Sequence, residues 1–135
     1  VSAFLLNRSS DLTLYDYSNP DRLVRILNEY QDLTVIGAHF GGWSVWDEAV
    51  EKLAKYPNFY VDCSSSLYDM TSDKAKKIIR AYGVDRVVFG TDFPMWIYEK
   101  ELERFADMNL DDEEMRKIFY ENAVKLFGID ENKIL

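Results

Sequence analysis

The sequence predicts an α/β fold in which four short parallel strands alternate with helices. Three observations carry that prediction. Apolar runs of three to five residues recur, clearest in Thr34-Val35-Ile36-Gly37-Ala38, Phe59-Tyr60-Val61 and Arg86-Val87-Val88-Phe89. Between them lie longer segments whose apolar residues repeat at helical spacing. Two of the runs end in a glycine and deliver a chemistry-bearing residue just beyond it: His39 after the first of these, Asp92 after the last. Strands separated by helices make parallel, right-handed βα units, and the carboxyl ends of such strands are where α/β proteins place metal ligands and proton-transfer groups.

Ser2 to Leu6 is a weak apolar run that reads as the first strand. A polar loop, Asn7 to Ser18, carries Tyr15 and Tyr17. Asn19-Pro20-Asp21 is a helix start, because Asn19 can cap and Pro20 suits the first helical position. Leu23, Ile26, Leu27 and Tyr30 form that helix's apolar face. After the strand ending at His39, Gly41-Gly42 gives a tight turn, and Ser44 with Asp47 reads as a capping pair. Trp46, Ala49, Val50 and Leu53 supply the next buried stripe, which Pro57-Asn58 stops. Phe59 to Val61 is the third strand, ending near Asp62-Cys63-Ser64. A helix from Ser72 to Tyr82 follows, stopped by Gly83. Arg86 to Phe89 is the fourth strand. Glu99 to Asp107 is a short helix. Asp111 and Glu114 cap the last one, whose apolar side is Met115, Ile118, Phe119, Ala123 or Val124, and Leu126, up to Gly128.

The 135 residues fit one domain, and a hydrophobic fraction of 47% with 15% aromatics argues for a packed globule. A net charge of -8 argues against nucleic acid or an anionic membrane as partner. Cys63 is the only cysteine, so no internal disulfide is possible; a reducing, cytoplasmic setting fits. No run is long enough for a signal-peptide core or a membrane span.

His39, the only histidine, can move a proton near neutral pH or polarise a carbonyl. The competing reading is a histidine merely hydrogen-bonded at a strand end. Gly41-Gly42 beside it, which lets backbone approach a ligand, favours the site. Asp92 suits a hard or borderline dication; alternatively it caps the turn before Phe93-Pro94. Cys63 beside Ser64, Ser65 and Ser66 raises a Cys/His nucleophilic pair, though no orienting motif accompanies it. Trp43, Met95 and Trp96 are candidates to line a pocket, and Trp46 reads as core.

Four blocks in order carry a resemblance: Ala38-His39-Phe40-Gly41-Gly42; Asn58-Phe59-Tyr60-Val61-Asp62-Cys63-Ser64; Gly90-Thr91-Asp92-Phe93-Pro94; and Tyr120-Glu121-Asn122-Ala123 with Leu126-Phe127-Gly128. Over roughly residues 20 to 129 the chain resembles the carboxyl-terminal half of the amidohydrolase-related metal-dependent hydrolases and decarboxylases, which are (β/α)8 TIM barrels. The resemblance implies that these strands are the fifth to eighth of a barrel. It implies a divalent metal, zinc first, held by a His-x-His or Glu-x-His after the first strand, a histidine after the fifth and an aspartate after the eighth. Asp92 matches the eighth-strand ligand, and His39 matches a sixth-strand histidine that assists the chemistry.

Two departures accompany the match. The first-strand ligand pair is absent, and Asn7-Arg8-Ser9-Ser10 stands where the fifth-strand histidine belongs, which marks residues 1–18 as an atypical amino end. A full barrel takes about 250 residues, so 135 make about half of one. The expectation is therefore a single half-barrel domain over residues 1–135, part of an enzyme that hydrolyses or non-oxidatively decarboxylates a small carboxylate-bearing or cyclic substrate. The alternative is a non-catalytic half-barrel remnant or self-associating scaffold, since open sheet edges invite pairing into a homodimer.

Overall fold

The strands among the described residues are all short, four residues at most. The computed structural model describes residues 2–5 and 19–133. Strand β1 (Ser2–Leu5) precedes helix α1 (Pro20–Glu29), β2 (Thr34–Gly37), α2 (Trp46–Leu53), β3 (Phe59–Asp62), α3 (Ser72–Tyr82), β4 (Val87–Val88) and α4 (Tyr98–Ala106). A closing helix follows in three parts: α5 (Asp112–Arg116), a π-helical turn (Lys117–Glu121) and α6 (Asn122–Phe127). The strands lie in the order β1-β2-β3-β4, and every pairing is parallel. All four carboxyl ends therefore open onto one rim. Asn7 to Ser18, including the Asn7 to Ser10 stretch, lies outside the described residues.

Side-chain alternation divides the sheet. Val35, Phe59, Val61, Cys63 and Val87 enter the core against Leu23, Leu27, Ala49, Leu53, Ile78 and Ile79 of the helices. Tyr60 and Asp62, at the alternate positions of β3, are half-buried on the other face. No helix among the described residues is long and apolar enough to cross a membrane.

Local chemistry starts and stops most helices as expected. The Asn19 side chain accepts from the Arg22 amide at 3.0 Å, with Pro20 as the first helical residue. Gly83 takes φ 90° after α3, and Asp111 with Glu114 forms a complete capping box on α5. Three expectations need correction. Ser44 and Asp47 do not cap α2: Ser44 sits at φ 67°, helix α2 starts at Trp46, and Asp47 pairs with Lys74 instead. Tyr30 leaves the apolar face of α1, because it is already the C-cap residue and its ring is exposed.

The third correction concerns β4, which is two residues long. Arg86 ends a 3-10 turn, and its guanidinium donates to Ala54 O at 2.7 Å and to Tyr56 O, taking up carbonyls just past α2. The Phe89 amide donates at 3.0 Å to Ile118 O, inside the π-helical turn. The wide i→i+5 spacing there displaces carbonyls from their ordinary helical donors. Asn122, buried on the same helix, donates to both Val84 O and Val87 O at 2.7 Å. Peptide groups two apart in a strand point the same way, so the flank of β4 away from β3 is engaged by the closing helix. That edge, expected to be open, is covered.

Candidate active-site rim

Where β2 runs out, the backbone has no freedom to spare. A Cβ at Gly37 would stand 2.5 Å from the Phe59 ring and 2.9 Å from Gly41 Cα. Beyond it His39, Phe40 and Gly41 take φ of 57°, 55° and 80° in succession, a left-handed turn containing two residues that ordinarily avoid it. Such a turn persists only when its surroundings over-determine it, and here they do. The Tyr82 hydroxyl donates to Phe40 O at 2.9 Å, the Trp46 indole donates to His39 O at 3.2 Å, and the His39 amide donates to Asp62 Oδ1 at 3.1 Å. Phe40 and Trp46 are buried, so the turn is bolted to the core.

The His39 ring is held through one nitrogen. Nδ1 lies 2.9 Å from Ser64 O and 3.0 Å from Ser64 Oγ, and Nε2 has no partner among the described residues. Ser64 is itself fixed by Asp62, whose Oδ1 accepts from the Ser64 amide at 2.9 Å and from its hydroxyl at 2.6 Å. A histidine, a serine and an aspartate thus meet, but not as a nucleophilic triad. The serine hydroxyl is spent on the aspartate and buried, so it has neither the base nor the access that a nucleophile needs.

Asp92 also takes a left-handed backbone, φ 59°, and is exposed. Its Oδ2 accepts from Ser65 Oγ at 2.8 Å. Ser65, at φ 50°, ties three loops together: its hydroxyl accepts from the Trp96 indole at 3.0 Å and its carbonyl from the Trp43 indole at 3.2 Å. Trp96 stacks on Tyr68 with ring centres 4.3 Å apart. His39 and Asp92, read from two different strand ends, are therefore anchored on neighbouring serines of one loop. The rim carries an imidazole, a carboxylate and a set of indole and phenol rings. Met95 is exposed beside them, and Trp46 is core.

The Cys/His pair does not form. Cys63 is fully buried, donates through Sγ to Gly90 O at 3.5 Å, and burial pushes its thiol far up from the ordinary cysteine range. Ser64 faces His39 instead. The sequence shows Asp62, Ser64 and Ser65 only as neighbours of Cys63, and no local signal marks them as anchors for His39 and Asp92. Among the described residues no group of three or more His, Cys, Asp or Glu side chains is placed to hold a metal ion.

A family model described as Amidohydrolase matches residues 13–129. Among solved structures, an uncharacterised TIM-barrel protein from Bordetella bronchiseptica is similar at 25% identity and TM-score 0.81, over 95% of this chain and 46% of that one. A dihydroxybenzoic acid decarboxylase from a Polaromonas species, with manganese and the inhibitor 2-nitroresorcinol bound, is similar at 22% identity and TM-score 0.63, over 92% and 45%. 2,6-Dihydroxybenzoate decarboxylase from Rhizobium is similar at 20% identity and TM-score 0.67, over 95% and 51%. The chain spans about half the length of these structures, and the likeness establishes its architecture as half of a TIM barrel. No curated protein sequence matches it significantly.

Proposed function

The chain belongs to the amidohydrolase family, and on that premise we propose that its rim serves the hydrolysis or non-oxidative decarboxylation of a small cyclic, carboxylate-bearing molecule. The observation that carries this reading is the His39 ring, gripped at Nδ1 with Nε2 unengaged among the described residues, on the same rim as Asp92. In this reading His39 Nε2 moves a proton to or from the substrate. Asp92, with one oxygen committed to Ser65, offers the other to a metal. Trp43, Trp96 and Tyr68 flank a planar ring. The similar structures named for decarboxylation of dihydroxybenzoates support the choice of a cyclic carboxylate.

The family implies a divalent metal, which would polarise a carbonyl or carboxylate oxygen. The described residues do not fit a complete site. Three or four protein ligands are the rule, and these residues offer no such cluster. Asp92 is one donor toward it.

The test is turnover of 2,6-dihydroxybenzoate, followed as CO2 release by the full chain supplied with Mn2+, together with titration of 2-nitroresorcinol. His39→Asn is expected to cost about 100-fold or more in rate with inhibitor binding nearly kept, and Asp92→Asn to weaken both. Turnover indifferent to both substitutions, or no turnover of any hydroxybenzoate or cyclic ester, would overturn the reading.

A second reading, a non-catalytic half-barrel that self-associates, is favoured by a specific surface. The loop after β4 and the first turns of α4 leave Phe93, Met95, Ile97, Tyr98 and Leu102 exposed, and exposed apolar residues gathered in one stretch of chain suit an interaction surface. Two copies meeting there would bring two rims together.

A further inference from the structure

We infer that Asp62 and Ser64 are positioning residues that fix the tautomer of His39, placing the proton on Nδ1 and leaving Nε2 as the lone-pair nitrogen. The assignment follows from counting protons. Two groups lie within hydrogen-bond distance of Nδ1, Ser64 O at 2.9 Å and Ser64 Oγ at 3.0 Å. The carbonyl can only accept. The hydroxyl has one proton, and Asp62 Oδ1 stands 2.6 Å away, a distance typical of an O–H donating to a carboxylate. If the hydroxyl turned its proton to Nδ1 instead, two bare oxygens would face each other at 2.6 Å, and the Ser64 carbonyl would face a nitrogen lone pair. Both conflicts vanish when Nδ1 carries the hydrogen and shares it between the two serine oxygens.

Asp62 is what makes this arrangement rigid. Its Oδ1 gathers three donors, the His39 amide at 3.1 Å, the Ser64 amide at 2.9 Å and the Ser64 hydroxyl. The same oxygen that spends the serine proton therefore also holds the backbone of the histidine and of the serine. Asp62 ends β3 and Ser64 lies in the turn that follows, and the left-handed turn at His39 brings its amide to Asp62 and its ring to Ser64. Which imidazole nitrogen is available is set by the bond the other one makes.

The consequence rests on the reading of His39 as the proton-transfer group. In the neutral enzyme Nε2 takes a proton and does not donate one, so His39 starts the cycle as a base and becomes an acid only after it has been protonated.

The test needs no substrate. His39 is the only histidine, so a long-range 1H–15N spectrum of the 15N-labelled chain, taken where the ring is neutral, contains one imidazole spin system. A protonated Nδ1 shift with an unprotonated Nε2 shift is expected, the reverse of the preference of a free histidine in water. A protonated Nε2, or the mixture seen for free histidine, would overturn the assignment. In folded Asp62→Ala the two nitrogen shifts are expected to move toward each other as the tautomers mix, and in Ser64→Ala to move less, because the residue 64 carbonyl remains. Unchanged shifts in both folded variants would remove the positioning role. Should Asp62→Ala fail to fold, the wild-type spectrum and Ser64→Ala still decide. His39→Asn kinetics report separately on whether His39 takes part in the reaction.

Discussion

Glu101 is the residue that fits its surroundings least well. It is 1% exposed in α4, its Oε1 accepts from Arg104, and its Oε2 has no partner among the described residues. Burial raises its carboxyl group above the ordinary value, and Arg104 offsets only part of that. A carboxyl with a raised value in the folded state binds its proton more tightly there than when unfolded. Its stabilising contribution is therefore full below the ordinary 4.5 and is lost as the pH rises through the folded-state value. Glu101→Gln keeps the shape and an acceptor for Arg104 while removing the buried charge. It should raise stability at pH 7 by about 1 kcal/mol and flatten the decline above pH 4.5, read from urea melts across the pH range. A variant less stable than wild type at pH 7 would show that the pair with Arg104 outweighs the desolvation.

At the scale of elements, the closing helix does more than pack. Its π-helical turn brings Ile118 O to the Phe89 amide, and one turn on, Asn122 joins Val84 O to Val87 O. These contacts hold β4, a strand of only two residues, against the body of the fold. Asn122→Ala should cost about 2 kcal/mol, since two buried carbonyls lose their donor. Asn122→Asp should cost more, because it sets an acceptor against both of them. Chemical denaturation measures either, and a loss below about 0.5 kcal/mol in both would mean that water replaces the side chain. Much of this level was legible in the sequence. Asn19, Gly83 and the Asp111–Glu114 box act within one turn of where they stand, so local reading found them. Ser44 and Asp47 have the same local signature and fail, because Tyr82 and Asp62, far along the chain, together with Trp46 impose the left-handed turn just before them. Asn122 stands in the fourth block of the family resemblance, but nothing local shows that two carbonyls wait opposite it.

For the molecule as a whole, the shared rim matters more than any single residue on it. Parallel pairing of four strands puts the loops after β2, β3 and β4 side by side, and Ser64 with Ser65 joins them. That rim offers few metal donors. After dialysis against Zn2+ or Mn2+ and then metal-free buffer, the chain should retain well under one equivalent by elemental analysis, since three or four ligands are needed for tight binding. One retained equivalent would mean that donors beyond the described residues, or from a second copy, complete the site. Sedimentation of the same sample separates these outcomes: a dimer at micromolar concentration supports self-association, its loss on Phe93→Ser with Met95→Ser supports the exposed Phe93–Leu102 surface, and a stable monomer removes it.

The sequence by itself determined the alternation of strands and helices, most helix ends, and the two strand tips that carry His39 and Asp92, because periodicity, caps and glycine stops act over a few residues. Only the tertiary structure decided that Ser64 and Ser65 anchor these two groups, that Cys63 turns inward, and that a helix near the carboxyl end closes the flank of β4. Those outcomes depend on which atoms meet across 25 to 35 positions of chain, and no local pattern encodes such meetings.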